Sequence, residues 1–254
     1  MTAFDLTQRR ARRRASVLIL VMLGGLPGLV SAQAPAPPPP EREGSAEFAF
    51  VGTSGNSSTQ TIGVGGEYIY RPSPWEMKVK TNYVRNEAED QLNAEAFLFT
   101  LRAQRLLKQR LSAYGQYGYQ RNRFAGILNR NAVEGGLMYS LIEPEPQKLI
   151  VDVGLGYANE QRLLGPDLST ATLGTGGTYT LRISDTSELS EDGRFVFSLS
   201  ESRDWRYANA LALTVKVTTI FSLKVSNIVR YVNTPVEGFK NTDALTAVAL
   251  VAKF

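Results

Sequence analysis

The chain has 254 residues, 43% of them hydrophobic and 20% charged, and contains neither cysteine nor histidine. That excludes a disulfide framework, thiolate or imidazole metal sites, and any Ser-His or Cys-His nucleophile. The formal charge of +4 traces to Arg9, Arg10, Arg12, Arg13 and Arg14 against Asp5; the rest of the chain is close to neutral, which argues against a nucleic-acid partner.

Residues 1–32 read as a secretory signal peptide. "RRARRR" is a charged start, "VLILVMLGGLPGLVSA" is a short apolar run broken by Gly24, Gly25 and Pro27, and Val30-Ser31-Ala32 is a small-residue cleavage site. The alternative is a retained anchor, for which the run is shorter than the roughly 20 apolar residues a spanning helix needs. A general export signal is favoured over a twin-arginine one. Residues 33–43 are rich in proline and read as an extended linker.

From residue 44 the chain alternates with period two. Ile62, Val64, Gly66, Tyr68 and Tyr70 share a face, as do Trp75, Met77, Val79, Thr81 and Tyr83. Leu149, Val151, Val153, Leu155 and Tyr157 repeat the pattern, and so do Leu211, Leu213, Val215 and Val217. Each run describes a strand with one apolar face. Short turns ("RPSP", "KQR", "EPEPQ", "SDT") alternate with longer polar connections ("RNEAED", "RNRFAGILNR", "RLLGPDLS", "ESRDWRYAN", "NTPVEGFK"). A further tight turn is expected near residues 219–222, where "TTIFSLK" has neither Gly nor Pro.

The predicted fold is therefore all-β: an antiparallel up-and-down transmembrane β-barrel of about twelve strands over residues 44–254. A soluble sandwich or lipocalin-like barrel would alternate too. Strand length and the aromatic residues argue against it. Threaded from a periplasmic start, Tyr70, Trp75, Tyr139, Tyr179 and Phe254 form a lower aromatic rim. Tyr83, Tyr119, Tyr157 and Tyr231 form an upper one. Two such girdles are what the two lipid–water interfaces select. The opposite face holds Lys78, Lys80, Arg102, Glu134, Asp152, Arg182, Lys216, Lys224 and Arg230, the predicted lining of the bore.

The last strand, "TDALTAVALVAKF", is apolar on both faces. The terminal Phe254 argues that Ala244, Val248, Leu250 and Ala252 face lipid with it, closing the barrel against "AEFAFVG".

An export signal, an alternating body and a terminal aromatic resemble the outer-membrane barrels of Gram-negative bacteria. More narrowly the chain resembles the family of salt-induced outer-membrane proteins of unknown function. The residues that carry the likeness are Gly55-Asn56, Phe124, Gly126 and Ile127 in "RNRFAGILNR", Gly135-Gly136, Pro235, Gly238, Thr242-Asp243 and Phe254. The resemblance implies location and fold and supplies no catalytic residues. It also implies that Phe254 is the signal read by the barrel-assembly machinery.

No catalytic site, metal site or cofactor is predicted. Glu134 and Asp152 on neighbouring inner faces read as parts of a charge network. "EAED" (Glu87, Glu89, Asp90) reads as a solvated acidic loop or a weak cation contact. "RDWRY" at 203–207 reads equally as a binding tip or an interface anchor. Two functions stay open: a narrow, weakly anion-preferring channel, and a closed structural or surface-binding barrel acting through its outer loops. A lipid-modifying enzyme is disfavoured by the absent histidine. The expected location is the cell outer membrane, the expected partners are its lipid and the assembly machinery, and a monomer is favoured.

Overall fold

The computed structural model describes residues 39–53, 59–88, 91–143 and 145–254. The expected export signal lies outside them, as do most of the linker, Gly55-Asn56, Glu89 and Asp90. Twelve antiparallel strands follow one another: β1 (Arg42–Thr53), β2 (Thr59–Tyr70), β3 (Trp75–Ala88), β4 (Gln91–Lys108), β5 (Leu111–Asn122) and β6 (Ile127–Ile142). The second half comprises β7 (Gln147–Arg162), β8 (Leu168–Arg182), β9 (Ser187–Ser198), β10 (Trp205–Lys216), β11 (Phe221–Val232) and β12 (Thr242–Lys253). Each strand pairs with its sequence neighbours, and β1 pairs with β12, so the barrel is closed. Closure, with Ser45–Phe48 of β1 paired to Leu250–Lys253 of β12, spares the sheet an open edge along that stretch in hydrocarbon, where an unsatisfied N–H or C=O costs several kcal/mol.

The alternation read from the sequence becomes the two walls of this barrel. Outward residues are apolar and exposed: Phe48, Phe50, Val64, Met77, Val133, Val153, Leu155 and Leu250 are examples. Inward positions carry the polar and charged residues. This is the arrangement of a membrane-spanning barrel rather than of a soluble one with an apolar core. On β12 the two apolar faces are told apart by burial. Val248 and Leu250 are each 51% exposed, whereas Ala249 (7%) and Val251 (4%) are buried against the bore wall. The seam register, Phe48 opposite Leu250 and Glu47 opposite Val251, fixes that choice. Backbone bonds between Gly44 and Phe254 complete the seam, at 2.8 and 2.9 Å. The Phe254 ring lies over Gly44, where a Cβ would stand 2.5 Å from it.

The strands run 12 to 18 residues, beyond the roughly 9–11 that a tilted strand needs to cross the bilayer. The excess lies at the upper end and corrects several expected loops. "RNEAED" is mostly strand, because β3 and β4 continue to Ala88 and from Gln91. "RNRFAGILNR" shrinks to a single 3-10 turn at Arg123–Ala125 closed by Gly126. Trp205, Arg206 and Tyr207 open β10 and form no loop tip. At the lower end, β1 takes in Arg42 and Glu43 from the linker segment. Polar composition at these places reflects strands rising out of the membrane into water. The turn lacking Gly and Pro lies at 217–220. There the Thr218 hydroxyl accepts bonds from the amides of Ile220 (3.2 Å) and Phe221 (2.9 Å), so the side chain supplies the turn chemistry.

Glycines mark where β6, β7 and β8 approach closely. At Gly136 a Cβ would lie 2.2 Å from the Val153 carbonyl oxygen and 2.6 Å from the Gly154 Cα. At Gly118 nothing stands within 4 Å. Gly136→Ala is expected to cost about 1–3 kcal/mol, since backbone cannot swing aside. Gly118→Ala should stay within about 0.5 kcal/mol. Urea midpoints in lipid vesicles compare them; equal midpoints would contradict the close approach.

Candidate functional site

The predicted lining residues occupy inward rows of the register. Lys78, Arg102, Gln116 and Glu134 form one row across β3 to β6. Asp152, Gly176, Arg194, Ala208 and Arg230 form another across β7 to β11. Lys80, which lies opposite Glu67 and Thr100, is exposed on the bore side. Lys78 lies 4.0 Å from Glu67, and Lys224 donates to Glu47 at 2.7 Å across the seam. The predicted rim residues face outward with the apolar side chains: Trp75, Tyr139, Tyr157 and Phe254 are exposed. Tyr83 pairs with Phe97, whose ring lies 5.9 Å from that of Tyr119. Tyr70 and Tyr179 hold outward register positions, and the Tyr231 ring lies tilted against that of Trp205, 4.9 Å between centroids. Trp205 is thus a half-buried anchor on the upper rim.

Halfway along the wall the structure gathers a charge group only partly foreseen. Arg194 of β9 crosses β8 to reach β7 and β6. Its Nη1 donates to Asp152 Oδ1 at 2.9 Å, and its Nη2 donates to Glu134. The crossing requires bare backbone beneath it. A Cβ on Gly174 would lie 2.6 Å from Arg194 Nη2, and one on Gly176 3.1 Å from Nη1. Tyr114 Oη lies 2.5 Å from Glu134 Oε1 and 3.0 Å from Asp152 Oδ1, and the Arg102 guanidinium stacks 4.0 Å from the Tyr114 ring centroid. The expected charge network is therefore present, with Arg194 as its centre. Such an arrangement ties both carboxylates to one shared guanidinium.

At the upper end a second group was missed altogether. Glu160 is 1% exposed. It accepts from Arg130 (2.9 Å), Arg162 (2.8 Å) and Arg206 (2.7 Å), with Asp204 3.7 Å from Arg206. The three arginines come from segments read as loops. Continuing period two from Asp152 through Gly154, Gly156 and Ala158 would have turned Glu160 inward. Above this group the 233–241 connection reaches the 123–126 turn: a Cβ on Gly126, whose φ is 71°, would meet the Phe239 ring at 2.6 Å and Val236 at 3.0 Å. These connections join β11 to β12 and β5 to β6, on opposite sides of the ring. Their contact spans the upper mouth, and Val236 is 4% exposed. Asn233 and Thr234 also bond the Arg203 carbonyl at 2.9 and 3.1 Å, tying the cap to the β9–β10 connection.

A cavity of about 340 Å³ is lined by Arg182, Asp185, Glu188, Thr214, Lys216 and Lys253 among others. Arg182 is paired with Glu145 at its edge. Among the described residues no group of acidic side chains could hold a metal ion.

The family model described as "Protein of unknown function, DUF481" matches residues 46–254. No curated protein matches the chain. Among solved structures, the COG4313 outer membrane channel from Pseudomonas putida F1 is similar at a TM-score of 0.51 and 9% identity, covering 89% of this chain and 100% of that one. The translocator domain of autotransporter NalP from Neisseria meningitidis is similar at 0.46 and 14% identity, covering 85% and 89%. At these identities the likeness is one of fold.

Proposed function

The chain belongs to the DUF481 family of proteins of unknown function, and from that premise we propose that it is a narrow channel of the Gram-negative outer membrane. It passes small solutes or ions with a weak preference for anions, and the 233–241 connection covers its outer mouth. The observation that carries this reading is the bore itself. Its wall is polar, and inward side chains such as Lys80 and Asp192 remain exposed along it. The cavity at its lower end bears Lys216 and Lys253, for which no ion pair is seen among the described residues. The fold of a solved outer-membrane channel agrees with the coarse part of the reading. Neither catalysis nor a cofactor enters it. Its partners are membrane lipid and, during biogenesis, the machinery that reads Phe254.

Replacing residues 235–239 by a short glycine linker tests it in planar bilayers. The expected result is a several-fold larger unit conductance than wild type and a reversal potential displaced towards the anion. Lys216→Glu with Lys253→Glu should then move that potential the other way. The second reading, a closed barrel acting through its outer loops, is favoured by the cap. It prevails if the folded, cap-less variant shows no conductance steps.

A further inference from the structure

The seam between β1 and β12 is paired only along its lower part. Residues 45–48 stand opposite 250–253, and there the pairing stops. On their other sides β1 stays paired to β2 up to Thr53, and β12 to β11 from Thr242. Among the described residues, 49–53 and 242–249 therefore have no strand across the seam. The direction of their backbone groups follows from Gly44 and Phe254, which exchange both bonds at 2.8 and 2.9 Å. Every second residue from that pair faces the seam. Those between face the other neighbour, as Lys253 does in donating to the Ile220 carbonyl at 2.9 Å. Phe50 on β1 and Ala244, Thr246 and Val248 on β12 thus turn N–H and C=O into a gap.

The gap lies within the apolar belt. Phe254 marks the lower rim on β12 itself. A tilted strand climbs about 2.5 Å per residue, so Val248 and Thr246 stand about 15 and 20 Å above it, in a belt about 25 Å tall. Outside, the margins are apolar: Phe48, Phe50 and Val248 are exposed. Inside they are apolar too. Between Asp243 and Lys253, β12 turns Leu245, Ala247, Ala249 and Val251 inward, and Ile228 and Ala210 extend Leu245 across β11 and β10. On the β1 side the inward Ala49 pairs with Gly63, where a Cβ would lie 3.4 Å from the Ala49 Cβ. The opposite wall of the ring carries Glu134, Asp152 and Arg194 instead. A strand apolar on both faces beside unpaired backbone has two needs. Acyl chains leave its N–H and C=O groups unsatisfied, and water gains nothing from the apolar strip. A single-chain amphiphile meets both, with a head group that bonds the edge and a chain that lies along Leu245, Ala247 and Ala249.

We propose that the upper part of this seam is a lateral portal, through which a single-chain amphiphile passes between the bore and the bilayer. With the upper mouth covered by the 233–241 connection, the gap gives the bore an exit sideways. The inference deepens the channel reading: it rests on the bore being a passage, though not on its preference for ions.

The chain contains no cysteine, so introduced cysteines report the seam cleanly. Ser45→Cys with Lys253→Cys, a facing pair in the paired stretch, is expected to form a disulfide in lipid vesicles under mild oxidation. Ala49→Cys with Ala249→Cys would face each other if the pairing ran on, and should form several-fold less. Bimane on Ala247→Cys is then read in vesicles containing palmitate with a nitroxide on its chain. Its quenching should exceed several-fold that of bimane on Thr100→Cys, inward on β4 between two paired strands. Heat-modifiable migration checks the folding of each variant; if a double-cysteine variant fails to fold, the quenching decides alone. Equal disulfide yields, or equal quenching at the two positions, overturn the portal. With conductance steps still present the channel reading then stands without it, and with no steps both fall. Quenching without steps supports the portal and removes the ion channel. An Ala249→Cys adduct in cells with another protein, marking a strand added at the open edge, overturns the proposal.

Discussion

Glu160→Ala will lower the stability of the barrel by about 3–5 kcal/mol, the range for removing one partner of a buried ionic group. The side chain is 2% exposed and is the common acceptor for Arg130, Arg162 and Arg206, themselves only 12–15% exposed. Without it three guanidiniums share a small space with Asp204 as the nearest counter-charge to one of them. Like charges in a region of low dielectric repel strongly. The cap above them rests on this group, since the small space beneath Pro235 and Val236 is lined by Glu160, Arg162 and Arg206. The loss should therefore show first as faster hydrogen exchange in the upper ends of β7 and β10 and then as a lower urea midpoint in vesicles. Glu160→Gln keeps the shape and part of the hydrogen bonding but not the charge, and should fall between the two. A midpoint within about 1 kcal/mol of wild type for Glu160→Ala would mean that water already screens the group.

Arg194→Met is the second large effect, expected at about 2–4 kcal/mol because two carboxylates lose their shared cation. The Glu134 and Asp152 side chains are 9% and 11% exposed, and that of Arg194 is 27% exposed, so the bore moderates the loss. Lys cannot substitute well: it has one point charge where the guanidinium spans two acceptors on two strands. Arg194→Lys should recover less than half the loss. The glycines supply an independent check. Gly174→Val would fill the channel along which Arg194 reaches Glu134, a Cβ there lying 2.5 Å from Glu134 Oε2. Combined with Arg194→Met it should cost less than the sum of the two, because both break one contact. Strict additivity in urea unfolding would refute the crossing.

The inward placement of Lys78, Arg102, Glu134, Asp152 and Arg230 was legible because side-chain direction on a strand is local: neighbours alternate whatever the strand pairs with. The aromatic rims were legible for the same reason. Arg194 was not read, although its parity was available, because its importance comes from Glu134, 60 positions away, and from glycines on the strand between. The upper group was lost for a different reason. Arg130, Arg162 and Arg206 stand in polar stretches, and polarity there marks strand that has left the lipid as readily as loop.

The amino-acid order by itself determined that this protein is a barrel of about twelve strands with an apolar outside and a charged inside. The period-two pattern and the turn residues need no knowledge of what lies across the sheet. Only the closed tertiary structure decided which charges meet. Closure slides each strand along its neighbour by a fixed stagger, and that stagger sets Arg194 beside Glu134 and Phe239 over Gly126. It is a property of the whole ring, held by every ladder at once, and no single segment encodes it.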